Sequence, residues 1–194
     1  PEIFDVSKEP QETLDLYEKA FGEPDLLYDW CNELEMQLSN AGTKDKDFWE
    51  KRKDFLVDTV RRHKPDVMGT QELFHIQGEY IVAQLPEYAW FGVSRRGNKE
   101  DEHMGVFYRK DRLKPVETGN FWLSETPETP GSSAWGMSLP RMVTWAVFED
   151  LKTKKRCTYY NTHFAHRGQV DAEARRRSAE LIASRLPKDG PFVL

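Results

Sequence analysis

Two stretches far apart in the chain share one plan. Pro65 to Glu72 (PDVMGTQE) is a short apolar run that ends on a single carboxylate, Glu72, and a helix-spaced segment follows it. Tyr159 to Gly168 (YYNTHFAHRG) opens aromatic and ends in Asn161, His163 and His166, again ahead of a helix-spaced segment. A strand that delivers polar groups at its C-terminal end and then gives way to a helix confines a chain to layered α/β architectures. One strand end carrying a carboxylate and another carrying an imidazole are, in addition, the parts of a metal-assisted hydrolase.

The remaining pattern fills in around these two strands. Near the start, apolar positions at helical spacing predict helices over Glu12–Phe21 and from Asp25 through Leu38, and Ser39 to Asp47 reads as a loop. A third helix is expected from Phe48 to His63, ended by Pro65, with Trp49, Leu56 and Val60 inward. Val67–Gln71 reads as a buried strand, and Leu73–Leu85 as a helix with Ile76, Tyr80 and Ile81 on its inner face. Strands over Tyr88–Ser94 and Met104–Tyr108 flank RRGNKEDE, where Gly97 and Asn98 mark a turn, and a weaker strand runs from Leu113 to Phe121. Ser124 to Pro140 is a seventeen-residue loop, long enough to suggest a functional role. Met142–Phe148 and Arg156–Thr162 form a hairpin. Asp171–Leu186 is a charged helix with Ala174, Leu181 and Ile182 inside and Arg175, Arg176 and Arg177 on a solvated face, and Pro191–Leu194 begins another strand. Strand pairs mixed with helices predict a mixed sheet rather than a purely parallel one. The expected division is an N-terminal helical segment, 1–47, and an α/β domain, 48–194.

Charge and composition narrow the partners. A formal net charge of −5 gives no broad basic field to steer a polynucleotide, so any nucleic acid would have to be gripped by local arginines. Cys31 and Cys157 form no CxxC pair and fit two reduced thiols better than a disulfide framework, with a single bridge between them left open. No apolar run approaches the ~20 residues of a membrane span. The opening PEIFDVSKEP does not read as a signal peptide but has no initiator methionine, which leaves room for a removed targeting segment; the location stays open, with the cytoplasm favoured. His75 and His103 are expected in solvent or loops, and His63 at a helix C-terminus.

The order PDVMGTQE, GVFYRKDR, TGNFWLSETPETPGSSAWG, PRMVTWAVF and NTHFAHRG with its following AR pair resembles the endonuclease/exonuclease/phosphatase superfamily over Trp49–Leu194. The resemblance implies a DNase I-like four-layer α/β sandwich, here partial, with the site at one edge of its two sheets. It also implies Mg2+ or Mn2+ as cofactor and hydrolysis of phosphoester bonds. By that resemblance Glu72 binds the metal and His163 contacts the scissile phosphate. Asn161, on the same strand face, holds the neighbouring geometry, and both Asn161 and His163 are catalytic candidates. Arg141 suits a phosphate contact because its guanidinium is permanently charged and bidentate. His166 is a second substrate-binding candidate, and Trp122 and Trp135 are candidates for the rim, or for the core.

Three departures from the family pattern shape the expectation. Asn32, in YDWCNELEMQLSNAG, stands near a family asparagine but in a helix-like setting, and Ala165 stands where an acidic residue is common. The chain ends at PFVL, the strand after which the family places a Gly-Asp-Phe-Asn motif and later an aspartate–histidine pair. A domain truncated there is expected to be impaired in catalysis and to self-associate through an exposed sheet. The alternative is a non-catalytic fragment that binds a phosphate ligand or a partner. The modest acidity favours small phosphoesters over polynucleotides as substrate.

Overall fold

A computed structural model describes residues 49–188 and 190–194. The two N-terminal helices, the 1–47 segment, Asn32 and Cys31 lie outside the described residues. Helix α1 (Trp49–His63) opens with Glu50 and closes with Arg61, Arg62 and His63, which complements the helix dipole, and it buries Leu56, Val57 and Val60. Strand β1 (Val67–Gly69) follows, then helix α2 (His75–Gln84), where the Gln77 side chain turns back to accept from the Phe74 backbone N–H at 2.8 Å. Strands β2 (Tyr88–Phe91), β3 (Val106–Arg109), β4 (Leu113–Trp122), β5 (Met142–Asp150) and β6 (Arg156–Thr162) come next. A 3-10 turn (Gly168–Asp171), helix α3 (Ala172–Arg185) and the short strand β7 (Phe192–Val193) complete the described chain.

The strands form two sheets. One has the order β1-β3-β2 and is antiparallel throughout; the other has the order β4-β5-β6-β7, in which β7 runs parallel to β6. The second sheet is therefore mixed, as the sequence predicts. Ten-residue β4 pairs with β5 along its length through a bulge between Pro115 and Glu117, so it is a full strand.

Period-two alternation separates four layers. On β3, Phe107 faces α1 and α2, packing with Leu56, Val60, Ile81 and Leu85, whereas Val106 faces the other sheet and meets Ala146 and Phe148 of β5. On β5 and β6, Val143 and Tyr160 turn outward to pack with Ala174 and Ile182 of α3, and Tyr159 turns inward. The order is thus helices, sheet, sheet, helix.

Three side-chain expectations are corrected. Ile76 is 72% exposed, because α2 turns Gln77, Gly78 and Ile81 inward and position 76 falls about 140° from Ile81 around the helix. Arg175 is fully buried instead of lying on a solvated face. His103 is also fully buried, in a bridge with Leu73 and Ser94, and its ring stacks with His75 at 5.9 Å. His63 ends α1, exposed, as expected.

Candidate functional site

The ends of β1 and β6 meet across the gap between the sheets. Gly69 makes the approach possible: a Cβ there would lie 2.7 Å from both Asn161 Oδ1 and Tyr159 Oη. Beyond Gly69 the contacts form a ladder. Asn161 Nδ2 donates to Thr70 O at 2.8 Å and to Gly105 O at 3.0 Å, and Gln71 Nε2 donates to Thr162 O at 2.8 Å. One step further, His163 Nε2 lies 3.6 Å from Glu72 Oε1. The structure therefore brings Glu72, Asn161 and His163 to one sheet edge. It places the Asn161 amide as a buried clamp between the sheets, with both donors on backbone carbonyls.

Glu72 sits in the left-handed region with φ +53°, a conformation that β-carbon-bearing residues adopt at a cost of order 1 kcal/mol. Adjoining His163 holds its carboxyl below the usual carboxylate range. Burial opposes this, while the charges of His163, Arg141 and His166 act in the same direction. The carboxylate is part-exposed and ionised near neutral pH.

Arg141, just before β5, is 5% exposed, and its Nη2 lies 3.0 Å from His166 Nδ1. A guanidinium only donates, so His166 Nδ1 accepts and its proton resides on Nε2. Desolvation, then the charges of Arg141 and His163, keep His166 below its ordinary value and hence neutral at pH 7. The His163 and His166 rings are nearly parallel, 6.0 Å apart. Arg141 Nη1 is buried with no hydrogen-bond partner among the described residues. A buried donor on a charged group left without an acceptor is costly, and an anion is what would satisfy it.

The loop that carries the histidines is pinned from behind. Arg175 donates to Ala165 O at 3.1 Å and to Gly168 O at 2.8 Å. Arg167 grips the buried Asp171 carboxylate, with Nη2 at 2.6 Å, and reaches Gly136 O at 2.6 Å, which ties the long 124–140 loop to the same segment. Trp122 is buried and donates its indole N–H to Arg95 O at 2.7 Å, and Trp135, at φ +54°, packs partly buried against the α3-side core. Both therefore anchor structure.

Sequence reading missed Arg95, Asp101 and Glu102. Arg95 Nη1 meets Glu102 at 2.6 Å and Nη2 meets Asp101 at 3.0 Å, beside the site. The charge alternation of RRGNKEDE was the available signal, but it looks the same as that of a solvated turn.

Among the described residues no group of three His, Cys, Asp or Glu side chains forms a metal cage. A single ionised, part-exposed carboxylate still fits Mg2+, which takes one or two carboxylates and fills its other positions with water and substrate phosphate.

Two face-packed sheets between helical layers, with an anion-directed cluster where strand ends of both sheets meet, define the class: a four-layer α/β sandwich with its site at the sheet edge. Residues 38–194 match the Endonuclease/Exonuclease/phosphatase family, and the chain belongs to it. That family takes in phosphatases and nucleases, hydrolases of phosphoester bonds, and its fold is DNase I-like. An endonuclease/exonuclease/phosphatase of Bacteroides vulgatus is 39% identical with a TM-score of 0.69, over 73% of this chain and 53% of that one. A mannosyl-6-phosphatase of Bacteroides thetaiotaomicron is 37% identical with a TM-score of 0.71, over 77% of this chain and 56% of that one. An uncharacterised protein of Acanthamoeba polyphaga mimivirus is 25% identical over 158 residues, 75% of this chain and 57% of the relative. The chain thus spans little more than half the length of these relatives. No helix among the described residues is long and apolar enough to cross a membrane.

Proposed function

We propose that this chain carries the metal-binding and phosphate-binding half of a Mg2+- or Mn2+-dependent hydrolase acting on small phosphoesters. The observation that carries the reading is the pairing of Glu72 with His163 at 3.6 Å, backed by buried Arg141 with its unsatisfied Nη1. Glu72 would hold the divalent ion. Bound there, the ion supplies Lewis-acid polarisation of a phosphoryl oxygen.

The chain's own groups account for the rest. His163 donates to a phosphoryl oxygen as charge develops on it, and Arg141 Nη1 holds a second oxygen. His166, kept in its Nε2–H form by Arg141, offers a neutral donor at the open side. Asn161 positions His163 by locking β6 onto Thr70 and Gly105 and is a positioning residue, not a reacting one. The mannosyl-6-phosphatase relative supports a small phosphorylated substrate.

A second reading is binding without turnover, and the orphaned Arg141 donor supports it equally, since it seeks an anion whether or not a bond is cleaved. The two are separated by incubating the chain with p-nitrophenyl phosphate and bis(p-nitrophenyl) phosphate in Mg2+ or Mn2+, beside Glu72→Ala and His163→Ala. Metal-dependent release of nitrophenol, lost in both variants, is the expected result. Release equal to buffer in the unaltered chain would leave the binding reading.

A further inference from the structure

The end of β4 holds two arginines side by side. The Trp122 indole N–H donates to Arg95 O at 2.7 Å, and the next backbone N–H, that of Leu123, donates to Arg141 O at 2.8 Å. Consecutive residues therefore fix the backbones of Arg95 and Arg141, and Met104, Trp122 and Met142 pack together beside them.

The two side chains are held by different groups and share one deficit. Arg95 uses Nη1 on Glu102 and Nη2 on Asp101, with all three side chains at least 80% buried, and its Nε is buried with no partner among the described residues. Arg141 uses Nη2 on His166 and leaves Nη1 in the same condition, in a residue 95% buried. Each guanidinium thus presents one desolvated N–H with no acceptor. The two cations also repel: after burial, the charge of Arg95 is the main reason Arg141 is held below its ordinary value. An anion with free oxygens relieves both penalties at once. Asp101 and Glu102 orient Arg95 without satisfying its Nε.

We propose that Arg95 is a second phosphate-binding residue which, with Arg141, selects phosphomonoesters over phosphodiesters. A monoester has three terminal oxygens and a diester two. The reading above, on which this proposal rests, directs one oxygen to the Glu72 side with His163 and one to Arg141. Arg95 Nε takes the third, which in a diester carries a second ester group. Asp101, Glu102, Glu72 and Asp171 are the acidic groups acting on this corner, and Arg95, Arg141, His163 and His166 the basic ones.

The test uses the full 194-residue chain with Mg2+, comparing the unaltered protein with Arg95→Gln and Arg95→Lys. Arg95→Gln is expected to lower kcat/KM for p-nitrophenyl phosphate roughly ten- to hundred-fold, the worth of a charged hydrogen bond. The same variant leaves bis(p-nitrophenyl) phosphate within about two-fold, because its contact is absent there. Arg95→Lys falls between the two, since an ammonium keeps the charge but not the fork. Equal losses on both esters, or no loss on either, would overturn the proposal. Arg95→Gln also breaks two ion pairs, so calorimetric titration with inorganic phosphate and thermal melting are run on the same samples; if that variant melts low, Arg95→Lys carries the comparison. Weaker phosphate binding at an unchanged Tm is the expected outcome. If the unaltered chain hydrolyses neither ester, the hydrolase reading fails by itself, and the titration still decides on Arg95. Phosphate bound equally tightly by the unaltered chain and the variant, or by neither, sinks the seat.

Discussion

Asn161 allows the strongest quantitative check on how the site is assembled. Its side-chain amide donates to two backbone carbonyls of the opposite sheet edge, Thr70 O and Gly105 O. Truncation to alanine does not treat them alike. Gly105 O keeps the Thr70 backbone N–H at 2.8 Å and the Thr70 hydroxyl at 3.0 Å, whereas Thr70 O loses the amide that caps it. One buried carbonyl without a donor costs about 1–3 kcal/mol. Asn161→Ala should therefore destabilise by about 2 kcal/mol, which for a chain of this size lowers Tm by about 4–8 °C. Gly69→Ala forces a Cβ to 2.7 Å from Asn161 Oδ1 and should by itself cost about 1–3 kcal/mol as overpacking. In the double variant the amide's part of that clash is gone while Tyr159 Oη, also 2.7 Å from the Cβ, remains to be displaced, so the two costs should fall short of their sum by about 0.5–1 kcal/mol. Urea denaturation of the four proteins, read by tryptophan fluorescence, measures the cycle. Strict additivity, or an Asn161→Ala protein as stable as the parent, would show that the inter-sheet clamp does not carry the contact.

Two further perturbations follow from the loop that holds the histidines. Asp171 is held below the usual carboxylate range chiefly by its hydrogen bond from Arg167. Its folded pKa is thus depressed, so its stabilisation is present above the unfolded value of about 3.9 and disappears as pH falls through the lower folded value. Asp171→Asn should cost about 1–2 kcal/mol at pH 7, and melting curves of the two proteins should converge below about pH 4; a gap that widens in acid would refute the assignment. Arg175→Met removes the donors to Ala165 O and Gly168 O at similar volume. Net of the cost of burying the charge, Tm should fall by an amount corresponding to about 2 kcal/mol. Hydrolysis or phosphate binding should fall further than the melting shift alone explains, because the segment bearing His163 and His166 is released; unchanged binding would confine Arg175 to the core.

Much of this fold was written locally. The hairpin of β5 and β6, the helix α3 and the strand ends at Glu72 and His163 follow from residue alternation and from helical spacing, and the family motifs add the layer order. What escaped was set by contacts across the fold. Ile76 reads as inward until α2 is seen to seat Trp90 over Gly78, where a Cβ would lie 2.6 Å from the indole, and that choice rotates the helix. Arg175 looks like one of three surface arginines, and its burial is made tolerable by partners distant in the local pattern, the carbonyls of Ala165 and Gly168 among them. Nor does any local pattern predict that Trp122 anchors Arg95 beside Arg141, since those three residues come from three separate segments.

The left-handed backbone at Glu72 sets two preferences against each other at one position. Glycine would relax that φ and firm up the turn, by about 1 kcal/mol, while removing the carboxylate proposed to hold the metal. Selection for thermal robustness alone would push this residue toward a more comfortable and chemically empty side chain. A library sorted only for survival on heating should therefore enrich glycine at position 72, and the same library sorted for metal-dependent phosphate chemistry should purge it.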